Sequence, residues 1–163
     1  GKSGGTAKRN SNAIAWLDRF TRNPLPDMVI WEPRVGASER STAKIFATRT
    51  RDHQRYWLDL VGQDLGSTYG KGELIIARLD RPRNTVIVDA CGNELTILLT
   101  QSMLDLQREI SVVVDGQTLA IKPIVSSSLL EKTLRERGDP AFMFETAVTI
   151  MKTDGTWTIQ NRN

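Results

Sequence analysis

The chain has few of the residues from which several common kinds of site are built. Its 163 residues include one cysteine, Cys91, and one histidine, His53. A single cysteine cannot form an intrachain disulfide, and one cysteine with one histidine cannot supply a Cys/His zinc cluster. We therefore expect no disulfide framework, no metal site and no other cofactor.

Long apolar runs and an excess of one charge are also missing. No stretch approaches the roughly 20 apolar residues that cross a bilayer as a helix, and the polar opening GKSGGTAKRNSN does not resemble a signal peptide. The 22 Lys and Arg residues are interspersed with 19 Asp and Glu, so the net charge is only +3. A nucleic-acid-binding chain usually carries a basic stripe. We expect neither a membrane nor a nucleic acid as partner.

The composition, 39% hydrophobic and 25% charged, is ordinary for a globular protein. The chain divides into three predicted parts. Residues 1–12 have the composition of a flexible linker or added tail, residues 13–26 form a helix and a Pro-rich linker, and residues 27–163 form one folded domain.

The N-terminal helix is predicted from an apolar stripe. Ala13, Trp16, Leu17 and Phe20 lie at the i, i+3, i+4 and i+7 spacing of one helix face. The helix should end near Thr21, because the Asn-Pro and Leu-Pro pairs that follow favour an extended backbone.

Beyond residue 27 the apolar residues mostly alternate with a period of two, as in strands. Asp115-Gly116 and Asp154-Gly155 predict tight hairpins, because the positive φ of a type I′ turn suits Gly and is accessible to Asp. Gly92-Asn93 is interpreted in the same way. The predicted strands are 28–32, 43–49, 55–62, 72–80, 84–90, 94–100, 109–115, 117–123 and 143–152.

One predicted helix interrupts the strands, in SSLLEKTLRERGDP. Ser128 and Glu131 have the spacing of a capping box, and Gly138 suits the left-handed position that ends a helix. Leu130 and Leu134 are expected to pack this helix onto the sheets.

The pattern favours an all-β, immunoglobulin-like β-sandwich of about nine strands, with one short crossover helix and the N-terminal helix. An α/β sheet would need helices between most strands. Leu95, Ile97 and Leu99 should face inward on one strand, and residues 110, 112 and 114 on another.

No residue is predicted to be catalytic. A Ser-His-acid hydrolase usually carries its serine on a Gly-x-Ser-x-Gly elbow, which this sequence lacks, and His53 is interpreted as a loop residue. The spacing of the acidic residues selects no pair suited to glycoside hydrolysis. Arg137-Gly138-Asp139, a tripeptide read by adhesion receptors, is interpreted as the end of the helix.

Trp57 is the most informative aromatic residue. As part of a strand over 55–62 it would alternate with Leu58 and Leu60, and these are the expected inward pair. Trp57 would then face outward, toward solvent, a sugar or another domain, or lie against the N-terminal helix. The candidate interface residues are Trp16, Phe20 and Trp57.

Several stretches resemble the C-terminal β-sandwich that follows the catalytic domain in a group of bacterial α/β-hydrolases, the esterase and prolyl-oligopeptidase-like proteins. The resemblance covers residues 13–152 and rests on RNPLPDMVIWEPR, RDHQRYWLDL, TQSMLDLQREISVVVDGQTL and LRERGDPAFMFETAV. In that group an Arg-Asn-Pro-x-Pro linker leads to a strand ending in Trp, followed by a Tyr-Trp strand. The matching residues are Arg22, Asn23, Pro24, Pro26, Trp31, Tyr56 and Trp57.

The resemblance implies a noncatalytic accessory domain whose partner is an α/β-hydrolase domain upstream in the same chain. Its role would be interdomain packing, oligomerisation or control of substrate access, and the parent would be compatible with secretion or a periplasmic location. A homodimer formed through residues 13–21 is a further hypothesis. The alternatives are a carbohydrate-binding module with exposed aromatics and a small stand-alone hydrolase.

Overall fold

The computed structural model describes residues 16, 23–33, 54–60, 74–89 and 92–160. In these ranges the chain forms strands, one α-helix and one 3₁₀ turn. In chain order these elements are β1 (Met28–Trp31), β2 (Gln54–Arg55), β3 (Leu58–Asp59), β4 (Ile75–Asp80), β5 (Thr85–Asp89), β6 (Glu94–Leu99), β7 (Ile110–Val114), β8 (Gln117–Ile121), α1 (Ser127–Arg137), the 3₁₀ turn (Pro140–Phe142), β9 (Thr146–Thr153) and β10 (Thr156–Gln160).

The strands form two sheets of five. Sheet A has the order β1-β4-β5-β7-β8, and sheet B has the order β10-β9-β6-β3-β2. Strands β5 and β7 run parallel, whereas the other pairs between the described strands are antiparallel. The predicted all-β sandwich is confirmed.

The core lies between the sheets because each strand turns alternate residues inward. The two predicted inward faces are confirmed, and they belong to opposite sheets: Leu95, Ile97 and Leu99 on β6 of sheet B, and residues 110, 112 and 114 on β7 of sheet A. A single buried apolar cluster contains residues of both sheets.

Two of the three predicted turns are hairpins. Asp115 and Gly116 have φ values of 47° and 77°, and Asp154 and Gly155 have φ values of 49° and 79°. These are the positive values that a type I′ turn requires. The interpretation of Gly92-Asn93 as a third hairpin is wrong, because β5 and β6, which flank it, lie in different sheets.

The prediction of a continuous strand over residues 55–62 is also wrong. Strands β2 and β3 pair with each other as a tight hairpin, and Tyr56, between them, has a φ of 53°. The turn removes Trp57 from the expected alternation, so Trp57 and Leu58 are both fully buried although they are adjacent.

The crossover helix is confirmed, with three differences in detail. Its N-cap is Ser126, whose Oγ accepts from the backbone N–H of Leu129, and not Ser128. Leu134 is 37% exposed, whereas Thr133, three per cent exposed, faces the core. Thr133 Oγ1 accepts from the backbone N–H of Phe144 at 3.1 Å, so a hydroxyl helps to hold α1 in place, while Leu130 is half-buried and Leu134 does not pack as expected.

The strand predicted at 143–152 begins three residues later, at Thr146, and β10 was not predicted. The strand predicted at 43–49 lies outside the described residues. The N-terminal helix is described only at Trp16, which is helical.

Candidate functional site

The predicted interface residues have different environments. Trp57 is fully buried, and its Nε1 donates to the carbonyl oxygen of Pro26 at 2.9 Å. Its indole is therefore enclosed by this chain and does not face solvent, as an outward position would require. Trp16 is 57% exposed, while Phe20 and His53 lie outside the described residues. Trp31 and Trp157 are also buried.

The Arg-Gly-Asp tripeptide is part of the scaffold. Gly138 is the left-handed C-cap of α1, and Asp139 caps the 3₁₀ turn by accepting from the backbone N–H of Ala141. Arg137 Nη1 donates to the carbonyl oxygen of Tyr56, and its guanidinium lies 5.1 Å from the ring centre of Phe144. The arginine thus joins α1 to the β2–β3 hairpin and is not presented on a protruding loop.

Asp115 is a described acidic residue whose pKa is shifted by two hydrogen-bond donors. The hydrogen bond from Lys152 Nζ, at 2.8 Å, and then that from Trp157 Nε1, at 3.0 Å, lower the pKa of the Asp115 carboxyl. This group joins the β7–β8 turn of sheet A to β9 and β10 of sheet B. Its role is to connect the sheets at one side of the sandwich.

Two outward surfaces are the candidate sites, and the first is on sheet A. We call Met28, Ile30, Ile76, Ile87 and Val113 the aliphatic face. Each of these residues alternates with buried neighbours on its strand, and the register places Ile30 opposite Ile76 and Ile87 opposite Val113. Two exposed charged residues share this side of the sheet: Arg78 lies between Met28 and Ile87, and Asp89 lies opposite Ile76. Met28 and Ile30, on edge strand β1, are 54% and 58% exposed.

The second surface is a groove between α1 and the outer side of sheet B, which we call the α1 groove. It has a volume of about 790 Å³, within the usual range for ligand sites. Four side chains from neighbouring strands cross its floor in one register: Gln54, Asp59, Thr96 and Thr149.

The floor of the α1 groove is hydrogen-bonded along this row. Gln54 Nε2 donates to Asp59 Oδ2 at 3.0 Å, and the hydroxyls of Thr96 and Thr149 are 2.9 Å apart. The segment from Ile121 to Leu129, with Lys132 and Glu136 of α1, forms the wall.

Thr96 alternates with Leu95 and Ile97, which were predicted to face inward. The sequence therefore could have predicted that the Thr96 hydroxyl lies on the outer side of its sheet. The groove itself could not be predicted, because it depends on the register of four strands and on the position of α1.

In the part of the chain that the structure describes, no group of three or more His, Cys, Asp and Glu side chains is arranged to hold a metal ion. Among the described helices, none is long and apolar enough to cross a bilayer. No protein family, curated protein or solved structure matches this chain.

Proposed function

We propose that this chain is a noncatalytic accessory domain that packs, through the aliphatic face, against the domain preceding it in a longer protein. The observation that carries the proposal is the exposure of Met28 and Ile30 on the strand with which the sandwich begins. Exposed aliphatic side chains grouped on one side of a sheet, here with Arg78 and Asp89 among them, are typical of a contact surface.

Side-chain contacts fix the residues that lead into β1 beside the aliphatic face. Trp57 Nε1 holds the Pro26 carbonyl, and Arg81 Nη2 lies 2.7 Å from Asp27 Oδ1. The Arg81 guanidinium also donates to the carbonyl oxygens of Ser102 and Met103. A domain joined through residues 13–26 would therefore arrive at the edge of sheet A from a defined point.

Among the strands that the structure describes, β1 is at one edge of sheet A, and an upstream partner would also account for this position. An exposed edge strand with outward apolar side chains favours unwanted association unless another element covers it. On the basis of the resemblance to hydrolase-associated sandwiches, we propose that the partner is an α/β-hydrolase domain. The catalytic residues of the whole protein would then lie in that domain.

The test uses the longer natural protein with the substitutions Met28→Lys and Ile30→Lys together. The matched control is Thr118→Lys with Ala120→Lys, which places two lysines on exposed, outward positions of β8 at the opposite edge of sheet A. We expect the wild type and the control to unfold in a single calorimetric transition. The β1 variant should unfold in two transitions, because charged side chains cannot be buried in an apolar contact without a large cost.

A single unchanged transition for the β1 variant would overturn the proposal. So would a natural reading frame with no folded domain upstream, or a sedimentation result in which the aliphatic face joins two copies of the protein.

A further inference from the structure

We propose that the α1 groove binds a neutral, linear oligosaccharide, whose hydroxyls hydrogen-bond to Gln54, Asp59 and Thr96, the half-buried members of the row that Thr149 completes. This site lies on sheet B, so the inference is independent of the contact proposed for sheet A.

The spacing of the row favours a ligand with regularly repeated polar groups. The four residues occupy successive strands, which lie about 4.8 Å apart, so the row spans roughly 14 Å. It presents an amide, a carboxylate and the hydroxyl of Thr96, which is hydrogen-bonded to the hydroxyl of Thr149, a residue only 2% exposed. Together these groups can donate to and accept from sugar hydroxyls, which are themselves both donors and acceptors.

The charges of the groove favour a neutral ligand. Lys132 Nζ lies 4.0 Å from Glu136 Oε1 on the same face of α1, so these two charges compensate each other. Lys122, also in the wall, is balanced in number by Asp59 of the floor, so the lining residues include two lysines and two carboxylates. Asp59 is the charged residue of the floor, and its Oδ2 already accepts from Gln54. Neither an anion nor a cation would find a concentrated opposite charge among the residues that line the groove.

An apolar strip lies beside the polar row. Leu98 and Ala147 face each other across β6 and β9, two residues along the strands from Thr96 and Thr149. Leu98 is 4% exposed and Ala147 is half-buried, so Ala147 is the more accessible of the two. Ile124 adds an exposed aliphatic side chain at the wall. A sugar ring has a hydroxylated edge and a face of C–H groups, so it can contact both the row and the strip.

The experiment is an NMR titration of the ¹⁵N-labelled chain with neutral hexasaccharides: cellohexaose, xylohexaose, mannohexaose and maltohexaose. We expect saturable binding of at least one of them. The amide shifts should move at Asp59, Thr96 and Thr149 and should stay unchanged at Val113 and Thr118, on the outer side of sheet A.

The decisive variant is Thr96→Val with Thr149→Val. Removing both members of the hydroxyl pair leaves no buried hydroxyl without its partner, so the midpoint of thermal unfolding should change little. Affinity for the bound hexasaccharide should fall by about tenfold or more, because the row loses the Thr96 hydroxyl that contacts the sugar and the Thr149 hydroxyl that hydrogen-bonds to it. Thr118→Val, the same change at an exposed position on sheet A, should bind as the wild type does.

The inference is overturned if none of the four hexasaccharides binds, or if the shifts map outside the groove. It is also overturned if the double valine variant binds as tightly as the wild type, or if a neutral hexapeptide, and none of the sugars, occupies the groove.

Discussion

The two sheets have similar inner faces and different outer faces. Inside, both contribute aliphatic residues to a single core. Outside, sheet A carries the aliphatic face, most exposed at its edge strand β1, whereas sheet B carries a hydrogen-bonded polar row in a groove beneath α1. The inner faces account for the fold, and the two proposals rest on the difference between the outer faces.

The two outer faces differ in the kind of partner against which each can be buried favourably. Aliphatic side chains gain free energy from any contact that removes them from water, at about 25 cal/mol per Å², so sheet A suits a large protein surface. Polar side chains gain only when each hydrogen bond lost to water is replaced. Sheet B therefore suits a ligand whose polar groups match the row.

The largest expected effect comes from Trp57, whose side chain connects the β2–β3 hairpin of sheet B to the entry of β1 in sheet A. Trp57→Ala should lower the free energy of unfolding by about 3–5 kcal/mol, through the cavity and the lost hydrogen bond. Trp57→Phe, which keeps most of the apolar volume, should cost clearly less. Urea denaturation measures the free energy of unfolding of each variant. Equal losses for alanine and phenylalanine would show that the apolar volume of the ring is not the main source of the stabilisation.

Asn84 should have the next largest effect, since it fixes the crossover from β6 of sheet B to β7 of sheet A. Its side chain donates to the carbonyls of Asp105 and Glu109 and accepts from the N–H of Asp105, and its φ is 51°. Asn84→Ala should cost about 3 kcal/mol, because it leaves buried backbone groups unpaired and strains the left-handed backbone.

Asn84→Gly is the control for backbone strain. It removes the same hydrogen bonds but tolerates a positive φ, so it should recover about 1 kcal/mol relative to alanine. If glycine and alanine cost the same in urea denaturation, the left-handed conformation contributes nothing to the effect.

A smaller, pH-dependent effect is expected at the connection made by Asp115. Its pKa in the folded chain is below the ordinary value of 3.8, chiefly because Lys152 and then Trp157 donate to the carboxylate. The unfolded chain therefore takes up the proton first as the pH falls. The stabilisation is complete above about pH 5 and is lost as the pH drops through the folded pKa.

Asp115→Asn tests this point, because asparagine also tolerates the positive φ of the turn. The pair is partly exposed, so the substitution should cost less than about 1 kcal/mol at pH 7, and it should cost less still at about pH 3, where the unfolded chain is already largely protonated. A cost that is the same at both pH values would contradict the electrostatic explanation.

The smallest effect is predicted for the aliphatic face in the isolated chain. Met28→Lys with Ile30→Lys should change the free energy of unfolding by no more than about 0.5 kcal/mol per site, because both side chains are already exposed. Urea denaturation of the isolated chain measures this. A large loss would mean that these residues stabilise the sandwich itself and are not reserved for a partner.

Much of the fold could be predicted from local pattern. The alternation on β6 and β7 identified the inward residues, and the Asp-Gly pairs identified two hairpins. Gly138 marked the end of α1. These features depend on residues that are neighbours in sequence and on conformations that few residue types adopt.

What was missed depended on distant residues or unusual conformations. The positive φ of Tyr56 has no sequence signal, because tyrosine rarely adopts it, and this turn is what buries Trp57. Thr133 was overlooked as an anchor of α1 because its partner, the N–H of Phe144, lies eleven residues away. The short β10, TWTIQ, was missed although the Asp154-Gly155 turn precedes it.

The central claim, that the outer face of β1 is covered by another domain of the same protein, is tested most directly by cysteine labelling. In a Cys91→Ser background, Ile30→Cys and the control Thr118→Cys are each reacted with a maleimide, in the isolated chain and in the longer protein that the proposal requires. Both cysteines should react rapidly in the isolated chain, and in the longer protein labelling should slow by at least about tenfold at position 30 only. Equal labelling rates at position 30 in the two proteins would contradict the claim.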